Sequence, residues 1–183
     1  LKKIAQQKEI TRAAVAVLFV TELPLEKIFR KSPRKDAMTF QAPSSGIMGK
    51  KETEQVAPTA VAADVADNHW AKSFIDEALK TGIIEKFPDE TYRPEAKVNR
   101  GEFAKLIEHF LIKAYDDPGI ETQFFGSVSP FSDMLNTAPV FNAAMQVSSR
   151  GIMPGFEDGT FQILRAVSGP EALNIIRNLK AKF

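Results

Sequence analysis

Apolar residues return at helical spacing in three separate stretches of this chain. Phe103, Leu106, Ile107, Phe110, Leu111 and Ala114 fall three or four residues apart, which predicts one buried face of a helix. Ala172, Ile175, Ile176 and Leu179 draw the same stripe 69 residues later, and Val15, Leu18, Phe19 and Leu23 draw it near the start. A fourth stripe, Trp70, Phe74, Ile75, Ala78 and Leu79, predicts a helix ahead of the first of these. Asp67 is its expected N-cap, and Gly82 its stop. Ala13 to Val20 is apolar throughout. It is far shorter than the roughly 18 residues that suggest a membrane span, so it reads as a core helix. A short helix is expected from Leu1 to about Lys8.

Between the helical stretches the pattern is broken by turn formers. Phe87-Pro88-Asp89-Glu90-Thr91-Tyr92-Arg93-Pro94 carries two prolines and an aspartate and cannot continue a helix. Asp89 and Asp158 read as turn residues that bond their own backbone, and they lack the alternating oxygen ligands of a calcium loop. Residues 32–63 are polar and irregular, with Ser32-Pro33, Ala42-Pro43-Ser44-Ser45-Gly46 and Val56-Ala57-Pro58. They read as a linker or exposed excursion. The basic run Lys27, Arg30, Lys31, Arg34 and Lys35 leads into that stretch and reads as a solvated helix end.

The stripes belong to a longer repeat. Gly82-Ile83-Ile84, Phe87-Pro88-Asp89-Glu90-Thr91-Tyr92 and Val98-Asn99-Arg100-Gly101-Glu102 return as Gly151-Ile152-Met153, Phe156-Glu157-Asp158-Gly159-Thr160-Phe161 and Val167-Ser168-Gly169-Pro170-Glu171. The offset is 69 residues throughout, without a gap. A partial copy begins at Ile10-Thr11-Arg12-Ala13-Ala14. Repeats of this kind cannot bury their apolar faces alone and pack on one another. Three equivalent helices with equivalent stripes predict an all-α bundle to which each repeat gives one central helix.

Each of these helices opens on a cap. Thr11, Asn99 and Ser168 are N-cap residues, and Glu102 and Glu171 stand where a capping box needs its acid, best in Ser168 with Glu171. Thr11 has Ala14 in place of the acid. Arg12 and Arg100 are less expected, because a cation in the first turn opposes the helix dipole. Beside free N–H groups each would make an anion site suited to a carboxylate, or each could pair with a neighbouring repeat.

These residues resemble the S-layer homology module. The likeness covers nearly the whole second repeat: Asp67 with His69-Trp70-Ala71, the Gly82 stop, the Pro88 to Pro94 loop and Val98 to Phe103. The third repeat, Phe131-Ser132-Asp133 to Glu171, is similar but degenerate, and the first copy matches only its second half. The resemblance implies a pseudo-threefold, all-helical prism of three modules around a central three-helix bundle. It divides the chain into a partial repeat over 1–31, a linker over 32–63, and repeats over 64–118 and 119–183. It implies a non-catalytic anchor that binds acidic, often pyruvylated, cell-wall polysaccharide in grooves between modules, outside the cytoplasm. The family's groove arginine corresponds to Arg12 and Arg100, and Gly169 stands at that position in the third repeat. The family's aromatic corresponds to Trp70, a candidate sugar platform, although its apolar neighbours on one helical face point to core packing. A structural or protein-interaction module of the envelope that lost sugar binding is the alternative.

Charge and composition add exclusions. A net charge of +1 gives no global field toward nucleic acid or an anionic membrane. The absence of cysteine removes disulfides and thiol chemistry. His69 and His109 share no ligand spacing, and no phosphate loop, metal motif or catalytic constellation is present, so neither cofactor nor metal is expected. A chain that begins at Leu1 reads as a fragment or processed form, its targeting signal upstream.

Overall fold

The computed structural model describes residues 1–30 and 62–183. The linker expected over 32–63 lies outside the described residues but for its last two positions. The described residues are all-α, with two isolated β-bridges and no longer strand. The helices are α1 (Lys2–Ala5), α2 (Arg12–Glu22), α3 (Leu25–Arg30), α4 (Lys72–Lys80), α5 (Arg100–Tyr115), α6 (Phe141–Ser149) and α7 (Gly169–Lys180), with a 3-10 turn over Pro118–Thr122.

The apolar stripes explain which faces are buried. Phe103, Ile107, Phe110 and Leu111 of α5 are buried, as are Ala172, Ile175, Ile176 and Leu179 of α7. On α2 burial runs unbroken from Ala13 to Phe19, because α4 and α7 both pack on this helix. Phe19 of α2 meets Phe103 and Phe110 of α5, with ring centroids 6.3 and 5.7 Å apart. α2 packs on α4, α5 on α6, and α7 on α1. No helix of the described residues is long and apolar enough to cross a membrane.

The helices α4 and α6 stop in the same way. Gly82 and Gly151 have φ of 68° and 65°, a left-handed conformation that glycine adopts without cost. The next amides, of Ile83 and Ile152, donate back to Ala78 and Val147. The expected Asp67 cap is not made. The N-cap position of α4 is Ala71, without a side-chain bond, because the chain enters the helix through a turn at His69 and Trp70.

Three buried backbone bonds tie the pieces together. Val98 N–H donates to Ile10 O (3.0 Å), Val167 N–H to Val98 O (3.1 Å), and Ile10 N–H to Val167 O (2.8 Å). The bonds close a ring at the residues just ahead of α2, α5 and α7. All three residues are at most 1% exposed. Their amides therefore cannot turn to water, and each unmade bond would cost about 1–3 kcal/mol.

A buried polar cluster fixes the connection between α5 and α6. Asn142 donates to Glu108 Oε1 (2.5 Å) and Ile120 O (2.8 Å) and accepts from Phe124 N–H. Gln146 also donates to Ile120 O. Burial raises the Glu108 pKa, against the opposing bond from Asn142. Because the folded pKa lies above the unfolded value, this group's stability contribution is full below about pH 4.3 and lost as pH rises through the folded pKa. Glu108→Gln should therefore flatten the pH dependence of urea unfolding above that point, and an unchanged slope would remove this role.

The start of α7 shows why the third repeat has glycine. Gly169 N–H donates to Gln7 O (2.8 Å), and a Cβ at Gly169 would lie 1.9 Å from Ile4 O. The backbone at α1 occupies the space an arginine would need. Gly169→Ala should lower stability by about 1–3 kcal/mol, the usual range for overpacking, measured by urea unfolding. Wild-type stability in this variant would show that α1 yields freely.

Candidate functional site

Two helix N-termini meet the loops of the following repeat in matching ways. At the first junction α2 meets residues 92–98, and at the second α5 meets residues 161–167. Arg12 N–H donates to Ala96 O and Ala13 N–H to Pro94 O, both at 2.9 Å. Arg100 N–H donates to Arg165 O and Gly101 N–H to Ile163 O, again at 2.9 Å. The third amide of each helix goes to its own cap, Ala14 to Thr11 Oγ1 (3.3 Å) and Glu102 to Asn99 Oδ1 (2.9 Å). The N–H groups that the sequence left free for an anion are thus occupied. Tertiary carbonyls and the caps have taken them, and the expectation that free N–H groups at these helix ends help to hold an anion is corrected.

The arginines reach past the helix ends into the adjoining loops. Arg12 Nε donates to Tyr92 O (2.8 Å) and Nη2 to Glu85 O (3.2 Å). Arg100 Nε donates to Phe161 O and Nη2 to Pro154 O, both at 2.8 Å. Each guanidinium also lies over two rings, Phe87 and Tyr92 for Arg12, Phe156 and Phe161 for Arg100, at 4.5–4.8 Å from the centroids. Carbonyl dipoles and ring faces replace water around the cation. Burial nevertheless lowers the pKa of both arginines from the ordinary value.

The two junctions differ in how they treat the last guanidinium nitrogen. Arg100 Nη1 donates to Glu171 Oε1 (2.5 Å), and Arg165 Nη2 donates to the same oxygen (2.6 Å). Arg100 is 3% exposed. Glu171 therefore does not turn back to its own cap. Ser168 still accepts from Glu171 N–H (3.4 Å), but the full capping box is made by Asn99 and Glu102 instead. Glu102 Oε2 accepts from Asn99 N–H (3.1 Å), and no carboxylate of the described residues pairs with Arg12. Arg12 is only half-buried and lines a groove of about 510 Å³.

That groove is mixed in charge. Lys97 and Lys105 line it with Arg12, and Glu85, Glu102 and Glu121 line it as well. Backbone carbonyls and the half-buried His109, whose Nε2 donates to Gly82 O (2.8 Å), sit at its wall. Such a surface suits a ligand with many hydroxyls and one acid group better than a polyanion. Trp70 does not line it. The core position expected for Trp70 is corrected, since this residue is 55% exposed and precedes α4 rather than lying on its buried face. Its ring lies 5.9 Å from that of His69, which accepts from Ala71 N–H at Nδ1 and so donates to Glu95 from Nε2.

Sequence reading missed the groups that hold the loops. Asp64 accepts from Tyr92 N–H and Arg93 N–H, both at 2.7 Å. Asp133 accepts from Phe161 N–H (2.8 Å) and Gln162 N–H (2.7 Å). Arg93 and Gln162 have φ of 58°, so the carboxylates hold an unfavourable backbone turn beneath each arginine. Their separation is the repeat offset, which was the available signal. Asp89 and Asp158 make the expected local turns, each accepting from the N–H and hydroxyl of the threonine two residues on. With those bonds and Arg93, the Asp89 carboxyl is lowered to about 2. Tyr92, fully buried, donates its hydroxyl to Arg12 O (2.8 Å), a bond that Phe161 cannot reproduce.

The model of the S-layer homology domain matches residues 63–104 and 130–173. Over 139 residues the chain is 27% identical to Cell surface glycoprotein 1 of Acetivibrio thermocellus, which covers 71% of this chain and 6% of that protein. Over 45 residues it is 40% identical to the Cellulosome-anchoring protein of the same organism, covering 25% of this chain and 10% of that protein. The chain spans a small part of the length of these curated relatives.

Asp64→Ala should cost about 2–4 kcal/mol, because two charge-assisted bonds to backbone are lost together. Chemical-shift changes should centre on Tyr92, Arg93 and the Arg12 groove. Stability within error of wild type would mean that the loop holds itself.

Proposed function

Because residues 63–104 and 130–173 are S-layer homology domains, we propose that this chain is a non-catalytic anchoring module that binds acidic cell-wall polysaccharide in the groove beside Arg12. The chain belongs to the cell envelope or surface. A pyruvate ketal on a sugar fits the role, since it supplies one carboxylate among hydroxyls. The observation that carries the reading is the open Nη1 edge of Arg12, whose guanidinium is held in place by two carbonyls and two rings, with no carboxylate of the described residues in salt-bridge contact with it. Trp70 offers a separate open ring face for stacking on a sugar. The same reading takes the chain as a pseudo-threefold prism around α2, α5 and α7, with residues 1–31 as the partial first repeat, 64–118 as the second and 119–183 as the third. The ring of bonds at Ile10, Val98 and Val167 supports it.

The second reading, a structural or protein-interaction module of the envelope, is favoured at the second junction. Arg100 is buried, paired and fully engaged, and there it acts as scaffold. The two arginines thus take different roles. Thr11, Asn99, Glu102 and Ser168 then serve by placing the helix ends.

Sedimentation of the chain with isolated cell wall separates the readings. Arg12→Ala should weaken binding about tenfold to a hundredfold, the worth of one charge-assisted contact. Arg100→Ala should leave binding per folded chain unchanged but cost about 3 kcal/mol, by removing the bonds to two carbonyls and leaving Glu171 with Arg165 alone. In calorimetry that loss corresponds to a melting point about 6–12 °C lower. Full-strength binding by Arg12→Ala would overturn the proposal.

A further inference from the structure

We infer that Glu171 is an internal counter-ligand, whose carboxylate fills at the second junction the subsite that a ligand's acid group takes at the first. The inference rests on the Arg12 reading and extends it to a second, closed site. The two junctions provide their own comparison. In each, the arginine Nε and Nη2 bind the carbonyls of residues 69 apart, Tyr92 and Phe161, Glu85 and Pro154. In each, the guanidinium lies over a loop phenylalanine, Phe87 or Phe156. The carbonyls and the loop phenylalanine that hold the guanidinium correspond, and the occupant of Nη1 differs.

At the second junction that occupant is a carboxylate oxygen, held at once by Arg100 Nη1 and Arg165 Nη2. Arg165 Cζ lies 4.9 Å from the Phe156 centroid, so it approaches from the loop side of the cradle. The glutamate that corresponds at the first junction, Glu102, is turned to its own cap. One feature of the sequence accounts for the difference. The first-junction loop has Ala96 where the second has Arg165, so no arginine stands at that loop position to draw Glu102 out of its capping box. In α7 the acid has left the cap and reaches across the junction to Arg100 and Arg165.

Arg100 is held without Glu171, since Nε and Nη2 keep their carbonyls and both rings remain. Removing the acid should therefore expose a formed monocarboxylate subsite made of Arg100 and Arg165. Glu171 keeps a partly exposed side chain, and Arg165 is 40% exposed at its side chain, so solvent reaches the pair from outside.

Isothermal titration of the full chain with a methyl hexopyranoside bearing a 4,6-pyruvate ketal tests this. Wild type should bind one equivalent and Glu171→Ala two, while Arg12→Ala/Glu171→Ala should bind one, now at Arg100. Should Glu171→Ala fail to fold, Glu171→Ser removes the same carboxylate, with folding checked by circular dichroism. A folded Glu171 variant that binds no more equivalents than wild type overturns the inference. So does a double variant that binds none. A silent wild type with a binding Glu171→Ala would sink the Arg12 proposal alone and uphold the closed site.

Discussion

The rest of the structure depends on the ring of three backbone bonds among Ile10, Val98 and Val167. Each residue immediately precedes the cap of a helix, α2, α5 or α7, and each is buried beyond the reach of water. An amide in that position must find a protein partner or cost free energy comparable to the bond itself. The ring satisfies all three at once, and only if all three segments are present. It fixes where α2, α5 and α7 begin, and hence which carbonyls face their first amides. The arginines follow from that placement. A residue at the first helical position, one step beyond the cap, is directed at the loop of the next repeat.

A cation in the first turn looks unfavourable when a helix is taken alone. In the assembled structure the opposing term is overcome by contacts from outside the helix. The dipole effect is a few tenths of a kcal/mol to about 1 kcal/mol. Two carbonyl bonds to a charged donor are each worth about 1.5–3 kcal/mol. Ring faces add to this at both junctions. The balance therefore favours arginine at this position only when a loop with those carbonyls and rings stands opposite. Residues 64 and 133 ensure that it does, since their carboxylates hold the left-handed turn that aims the carbonyls of Tyr92 and Phe161.

What was legible in the sequence was local. Gly82 and Gly151, the Asp89 and Asp158 turns, the caps and the stripes on α5 and α7 each depend on residues within one or two turns of chain. What was hidden depended on the other repeats. Free N–H groups at a helix end are a correct local inference, and tertiary carbonyls removed them. Glu171 has ideal spacing for a capping box, yet Arg100, 71 residues away, draws it elsewhere. Trp70 shares a helical period with buried residues but lies before the helix begins, so the period did not apply to it. The Asp64 clamp spans 28 residues and leaves no mark in any short window, although its repetition at Asp133 does.

The missing arginine of the third repeat has the same kind of cause. Loss of a binding residue usually reads as loss of function, with drift as the explanation. Here the position faces no loop of the described residues of the sort that Arg12 and Arg100 enter. It faces the backbone of Ile4 and Ala5, so close that even a methyl group has no room. The Gly169 amide still finds a carbonyl, that of Gln7, and the ring of bonds still closes through Ile10. The third junction has therefore kept the part of the arrangement that holds the fold and given up the part that makes a cradle. Without Phe87 or Phe156 and their loop carbonyls, an arginine at residue 169 would be a buried cation with no such cradle among the described residues, an arrangement far costlier than glycine's loss of helix propensity. Among the described residues a cradle thus forms where a loop stands opposite the start of a helix, as at α2 and α5, and not at α7.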